Sequence, residues 1–283
     1  MRMLRKFFIF NFILMFLLLS SCATKPKAPI KDFVRTAASS EESLARVETI
    51  GIINDVCLVR DITGNDDYVS IEDSKLAEAH MTKSACAYME QKGYTVKVHL
   101  SPFVGGFKTP DKETKVADCK GGDVTMHGAP FYTHDTIRED KPFQESLIHS
   151  IRKALAAVDQ MKKSPSEAIS FDDETQKYLK HIADHENIDT ALFIIGNGVI
   201  VSTGKSVGQA VATGMLTGIL TMGMVTYSKY DVSYLDSYIV LVDLKSGKML
   251  WSNSFRKKQI DPTEEEFYTK NWAATALYHL PNK

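Results

Sequence analysis

The apolar positions of this chain switch repeatedly between a period of two and a period near 3.6. Val47 to Val59 is dense in Val and Ile and reads as a strand. From Asp73 to Lys92 the spacing lengthens. Met81, Ala85, Tyr88 and Met89 share one helix face there, and Gly93 supplies the stop. Tyr94 to Ser101 alternates, so Tyr94, Val96, Val98 and Leu100 are expected on one strand face, with Thr95, Lys97, His99 and Ser101 on the other. Together these form a β-α-β unit. Residues 102–141 lose the pattern to paired Gly, Pro and mixed charge, which reads as an insertion serving as a lid or an interaction loop.

A helix follows from Pro142 to Lys163, with Leu147, Ile151, Leu155 and Val158 as its buried stripe, and a second covers Asp172 to Glu186. Thr190 to Ile195 is apolar throughout, as a strand buried on both faces is. A second insertion is placed at 197–230. Ser233 to Leu244 and Met249 to Phe255 pair through a turn at Lys245-Ser246-Gly247-Lys248. Asp261, Pro262 and Glu264 read as N-cap, first helical residue and capping-box partner of a last helix carrying Phe267, Trp272, Ala276 and Leu280. The fold class is α/β, a mixed sheet with flanking helices.

The first 21 residues change the picture. Arg2, Arg5 and Lys6 precede a run from Phe7 to Leu19 that is apolar except for Asn11, and Leu19-Ser20-Ser21-Cys22 follows. The run falls short of the ~20 residues a spanning helix needs but suits a signal-peptide core. The small residues before Cys22 resemble a bacterial lipobox. That resemblance implies cleavage before Cys22, acylation of its thiol, and anchoring in a membrane through the N-terminal lipid. In lipoproteins of this kind Asp after the modified Cys favours the inner membrane. Ala23 stands there, so the resemblance implies the outer membrane, with the domain facing the periplasm. Residues 22–45 read as a lipidated tether with a reach of about 25 Å, and 46–283 as one α/β domain.

Composition narrows the chemistry. With 34 Lys+Arg against 35 Asp+Glu, the 283-residue chain has no basic excess for a nucleic-acid backbone. Cys57, Cys86 and Cys119 permit one internal bridge at most, and their pairing is not readable. Gly204-Lys205-Ser206-Val207-Gly208 matches the G-x-S-x-G nucleophile elbow, and Asp243 or Asp261 and then His279 follow in hydrolase order. Too few strands follow Ser206 for that fold, and no upstream oxyanion segment is present. Gly198 to Ser206 misses the Walker A spacing, and Gly196-Asn197-Gly198 lacks the third Gly of a dinucleotide fingerprint. His181 and His185 stand one helical turn apart, but Lys180, Asp184 and Glu186 around them describe a solvated face. His99, His127 and His134 read as surface residues. No cofactor and no metal is expected. Ser206 to Ser228 carries no charge, and within 204–228 Gly214 and Gly218 form a GxxxG that suits close packing in the core, between subunits or against membrane.

Asn187-Ile-Asp-Thr-Ala-Leu-Phe-Ile-Ile-Gly196 and Ser237-Tyr-Ile-Val-Leu-Val-Asp243-Leu-Lys-Ser-Gly247-Lys-Met-Leu-Trp251-Ser252 resemble segments of the curli-export (CsgG-type) and TolB-N-like periplasmic lipoproteins. The motif is structural: Asp243 and Gly247 make the turn and Trp251 packs. The resemblance implies an anticodon-binding-like domain tethered at the outer membrane. It also implies a non-enzymatic role in envelope assembly, secretion or surface-structure biogenesis, through protein partners or self-association. Two alternatives stand beside it: an oligomeric export pore of the curli-exporter type, and a serine hydrolase using Ser206. The pore needs membrane hairpins, and 197–230 lacks their alternation.

Overall fold

A computed structural model describes residues 34–36, 44, 46–47, 49–61, 68–108, 113–117, 123–163, 169–201, 232–278, 280 and 282–283. Cys22, Cys119, Ser206, Gly214, Gly218 and His279 lie outside these residues, as do the leader and most of the 197–230 insertion. The described residues belong to one compact unit, Asp32–Lys283.

The framework is a mixed sheet between two layers of helix. Its central strand is β2 (Thr49–Asp61), after the short β1 (Val34–Thr36). β3 (Tyr68–Ser70) leads into helix α1 (Ile71–Gln91), and β4 (Thr95–Val104) follows, parallel to β2. Then come β5 (Glu113–Ala117), β6 (Asp123–His127), β7 (Tyr132–Thr133) and the single turn α2 (Asp135–Arg138). Helices α3 (Lys141–Lys163) and α4 (Asp173–Glu186) carry the chain back to β8 (Thr190–Val201), parallel to β2 on its other side. β9 (Tyr234–Asp243) and β10 (Lys248–Lys258) complete the antiparallel half. The order is β1-β10-β9-β8-β2, and beyond β2 the sheet forks into β4-β7 and β3-β5-β6.

Chirality sets the layers. The crossover β2-α1-β4 and the crossover through α3 and α4 to β8 move in opposite directions from β2. Crossovers of one hand then put their helices on opposite faces. Ile50, Ile52, Val56 and Leu58 of β2 accordingly pack under α1, with Met81, Ala85 and Met89. Ile53, Cys57 and Val59 face α3, with Leu147, Ile151 and Leu155. Burying each such large side chain contributes about 1.5–3 kcal/mol, and together they make β2 the hydrophobic axis of the domain.

Several expectations are corrected. β4 does not keep one apolar face: its pairing with β2 slips between Ile50↔Val96 and Gly51↔Val98. The slip leaves Lys97 as the extra residue, so Tyr94 and Val96 pack on the α1 side while Val98 and Leu100 pack on the α3 side. The stretch read as tether contains β1, which pairs Val34 with Asn253, and also Leu44, which is buried. Part of the first insertion is regular structure, in which β5 and β6 extend the sheet. β8 runs on through Gly196 to Val201, past the point where the second insertion was placed.

The last helix also departs from expectation. Asp261 does not cap it; its carboxylate accepts the Thr263 N–H in a tight turn, and helix begins at Glu265. This final segment runs Glu265–Phe267, then a π-helical turn Tyr268–Trp272, then Ala273–Ala276. Outside groups hold the wide turn: Ser84 Oγ donates to the Tyr268 carbonyl at 2.7 Å, and Trp272 Nε1 donates to Ser237 Oγ at 2.9 Å. Tyr268 and Trp272 are both buried, packing the segment beside α1.

Candidate functional site

Ligands of open α/β sheets bind outside the carboxyl ends of the strands, where the direction of winding reverses. Here that point lies between β2 and β8, and a polar cluster stands beside it within an otherwise apolar layer. Asp55, fully buried on the α3 face of β2, accepts the N–H of Gly105 (2.8 Å) and of Phe107 (2.9 Å) from the loop after β4. The same loop returns Lys108 into the interior, 3% exposed, where Nζ donates to Asn197 Oδ1 of β8 at 2.7 Å and lies 4.7 Å from the Phe107 ring. From α3, Arg152 donates to the carbonyls of Gly106 (3.0 Å) and Lys108 (2.9 Å). The loop is thereby held from both sides. Next along the sheet, Arg256 of β10 grips Asp236 of β9 through both carboxylate oxygens, at 2.5 and 2.6 Å.

Burial dominates the electrostatics of these groups. It pushes the Asp55 carboxyl up to about 7, against the pull of the loop amides and of Lys108. It pushes the Cys57 thiol up to about 11 and the Lys108 ammonium down from its ordinary range. A neutral, fully buried thiol is a poor nucleophile, and a lysine closed off at 3% exposure meets no substrate. Asp55, Lys108 and Asn197 thus tie β2, the loop after β4 and β8 together. Their chemistry is that of a brace.

The residues singled out from the sequence lie elsewhere. Asp243 Oδ1 accepts the N–H groups of Lys245 and Ser246, Gly247 sits at φ +62°, and Trp251 is wholly buried. Asp243 and Asp261 each close a turn, so both acids available to a Ser206 triad are occupied locally. Gly196 and Gly198 lie within β8, where a Cβ would stand 3.0 Å from Met81 and Val56 at the first and 2.6 Å from the Tyr234 carbonyl at the second; they are packing positions, not a phosphate loop.

His181 and His185 pin α4 to α3. His181 Nδ1 lies 2.8 Å from Ser146 Oγ, and the His185 ring stacks on Phe143 at 3.7 Å between Asp140 and Glu186. Among the described residues no cluster of three potential ligands could hold a metal ion. Cys57 and Cys86 are free thiols packed toward opposite sides of the sheet, which removes that pairing from the three. Among the described residues no helix is long and apolar enough to cross a membrane.

Asp55, Lys108, Asn54 and Glu78 carry no motif by which the sequence singles them out. A trace was present: Asn54-Asp55 interrupts an apolar strand, and Gly105-Gly106-Phe107-Lys108 follows the next one.

No family model matches the chain, and no curated protein matches it. Matching solved structures include two crystal forms of the PelC dodecamer from Paraburkholderia phytofirmans. One, a point variant in space group C2, is 10% identical, covers 84% of this chain and 91% of its own, and gives a TM-score of 0.31. The other, in space group P6, is 10% identical, covers 82% and 87%, and gives 0.28. At these values neither likeness bears on what this chain does.

Proposed function

We propose that this chain is an outer-membrane lipoprotein whose periplasmic α/β domain acts without catalysis, through protein contacts, in cell-envelope assembly, secretion or surface-structure biogenesis. The observation that carries the reading is the leader ending in Leu19-Ser20-Ser21-Cys22-Ala23 ahead of an α/β domain. A second support is that the polar cluster beside the winding reversal is filled by the domain's own loop. The partner is a protein of the envelope or a second copy of the chain, met through exposed parts of 102–141 and through 204–228. The pore and hydrolase readings depend on residues of 197–230 that the structure does not describe, and no described residue favours either.

The test is metabolic labelling with radioactive palmitate in cells making the wild type or Cys22→Ala, followed by separation of inner and outer membranes. The wild type should take up label and fractionate with the outer membrane. Cys22→Ala should take up none. Label-free wild type, or label confined to the inner membrane, overturns the anchoring.

A further inference from the structure

Asp55 is not the only carboxyl group enclosed at β2. On the opposite face of the strand, α1 turns a row of polar side chains toward the sheet at intervals of four residues: Ser74, Glu78 and Thr82, all buried. Two of them are accounted for. Ser74 Oγ donates to the Ser70 carbonyl at 2.6 Å and accepts the Leu58 N–H of β2 at 2.9 Å. Thr82 Oγ1 accepts from Asn54 Nδ2 at 3.1 Å. Asn54 Nδ2 also donates to the Glu78 carbonyl oxygen at 2.9 Å, which brings the Asn54 amide directly against the Glu78 backbone.

Both donor hydrogens of the Asn54 amide are thereby spent, and two acceptors are left over. Asn54 Oδ1 and Glu78 Oε1 are enclosed and have no hydrogen-bond partner. An ionised carboxylate is acceptor-only, so it cannot satisfy either atom. The neutral acid carries no charge that an enclosed, donor-free oxygen would have to support.

We propose that the folded domain carries a captive proton on Glu78, whose enclosed Oε1 meets no donor that could support a carboxylate charge, so that ionising Glu78 works against the seating of α1 on β2. The surroundings agree. Burial moves the Glu78 equilibrium far toward the neutral acid, and the Asp55 charge across β2 adds to it. Lys75, one turn earlier on α1, is the opposing charge. From β4 and the final helical segment, no described ionisable group acts on it in either direction. The two carboxyls beside β2 are thus divided by environment: Asp55 has two loop amides bonded to its oxygens as well as the Lys108 ammonium, whereas Glu78 has only the Lys75 charge and no hydrogen-bond donor on its enclosed Oε1.

The direction with pH follows from linkage. Unfolded Glu78 ionises near 4.5, whereas folded Glu78 keeps its proton. Above that value the folded state holds the extra proton, so stability falls as pH rises until the folded group itself ionises. Glu78→Gln, neutral at every pH and with an amide donor in the same place, escapes this.

The experiment is urea unfolding of the full chain, wild type and Glu78→Gln, in steps from pH 5 to pH 8. The ratio of their folding constants should move toward the variant as pH rises, by up to about tenfold per pH unit for as long as folded Glu78 keeps its proton. Contributions shared by both proteins, Asp55 included, cancel in that ratio. A ratio constant within about twofold across the range overturns the proposal. A second measurement stands without the variant's folding: the infrared carbonyl band of the folded wild type at pH 7. A protonated-carboxyl band that shifts when glutamate is carbon-13 labelled is the expected result, and none from Glu overturns the proposal.

Discussion

A methyl group at Gly105 tests the brace most sharply. Gly105 has φ +74°, and a Cβ there would stand 2.8 and 2.9 Å from two ring carbons of Phe131, which is 4% exposed. The left-handed conformation costs a residue with a Cβ about 1–2 kcal/mol. Forcing a methyl into a packed ring adds about 1–3 kcal/mol. The reduced freedom of the unfolded chain returns about 0.4–1 kcal/mol. Gly105→Ala should therefore destabilise the domain by about 3 kcal/mol. Gly247→Ala is the matched control: φ is +62°, but the nearest atom is Cγ of Gln176, 2.5 Å away on a half-exposed, flexible side chain. Moving that side chain breaks the hydrogen bond from Gln176 Nε2 to the Phe171 carbonyl, worth about 1 kcal/mol, so the control should lose about 2 kcal/mol. Trp251 and Trp272, both fully buried, report unfolding by fluorescence in urea. The unfolding free energies should separate by about 1 kcal/mol at an unchanged slope, with Gly105→Ala the less stable. Equal losses at the two sites would refute the argument that the Gly105 loop is clamped between Asp55 and Phe131.

Two further outcomes follow from burial. Asp55 is raised from 3.8 to about 7, so the folded state binds its proton more tightly and stability falls as pH rises through that window, by about 4 kcal/mol in all; Asp55→Asn should remove this part of the slope, and a variant with the wild-type profile would contradict it. Cys57 is enclosed with its thiol near 11, so a brief maleimide pulse on the native protein at pH 7 should label the half-exposed Cys86 and spare Cys57 until urea is added, as peptide mass mapping would show.

The long elements were legible because their own residues carry the pattern. The stripe Leu147, Ile151, Leu155 and Val158 of α3 is buried as its spacing predicts. The Asp243–Gly247 turn was also local, an Asp accepting from the next backbone amides and a Gly at positive φ. Features set by a neighbour were not legible. Lys97 is one alternating residue among several until β2 slips against it, and Tyr268–Trp272 is an ordinary apolar i, i+4 pair until Ser84 and Ser237 hold its widened turn.

Sequence alone determined the order of the long strands and helices and the Asp243–Gly247 turn, since those depend on interactions within a few residues, whereas the short strands β1, β3 and β5 to β7 were not legible in it. The proposal of a lipidated leader ending at Cys22 likewise rests on sequence alone, as a linear pattern. Tertiary structure decided the assignment of polar residues. Asn54 and Asp55 are neighbours in the chain, yet β geometry sends them to opposite faces. There one meets Thr82 and Glu78, while the other meets a glycine loop and Lys108. Solvation and hydrogen-bond supply at each face, which no local pattern encodes, then govern which carboxyl can hold a charge.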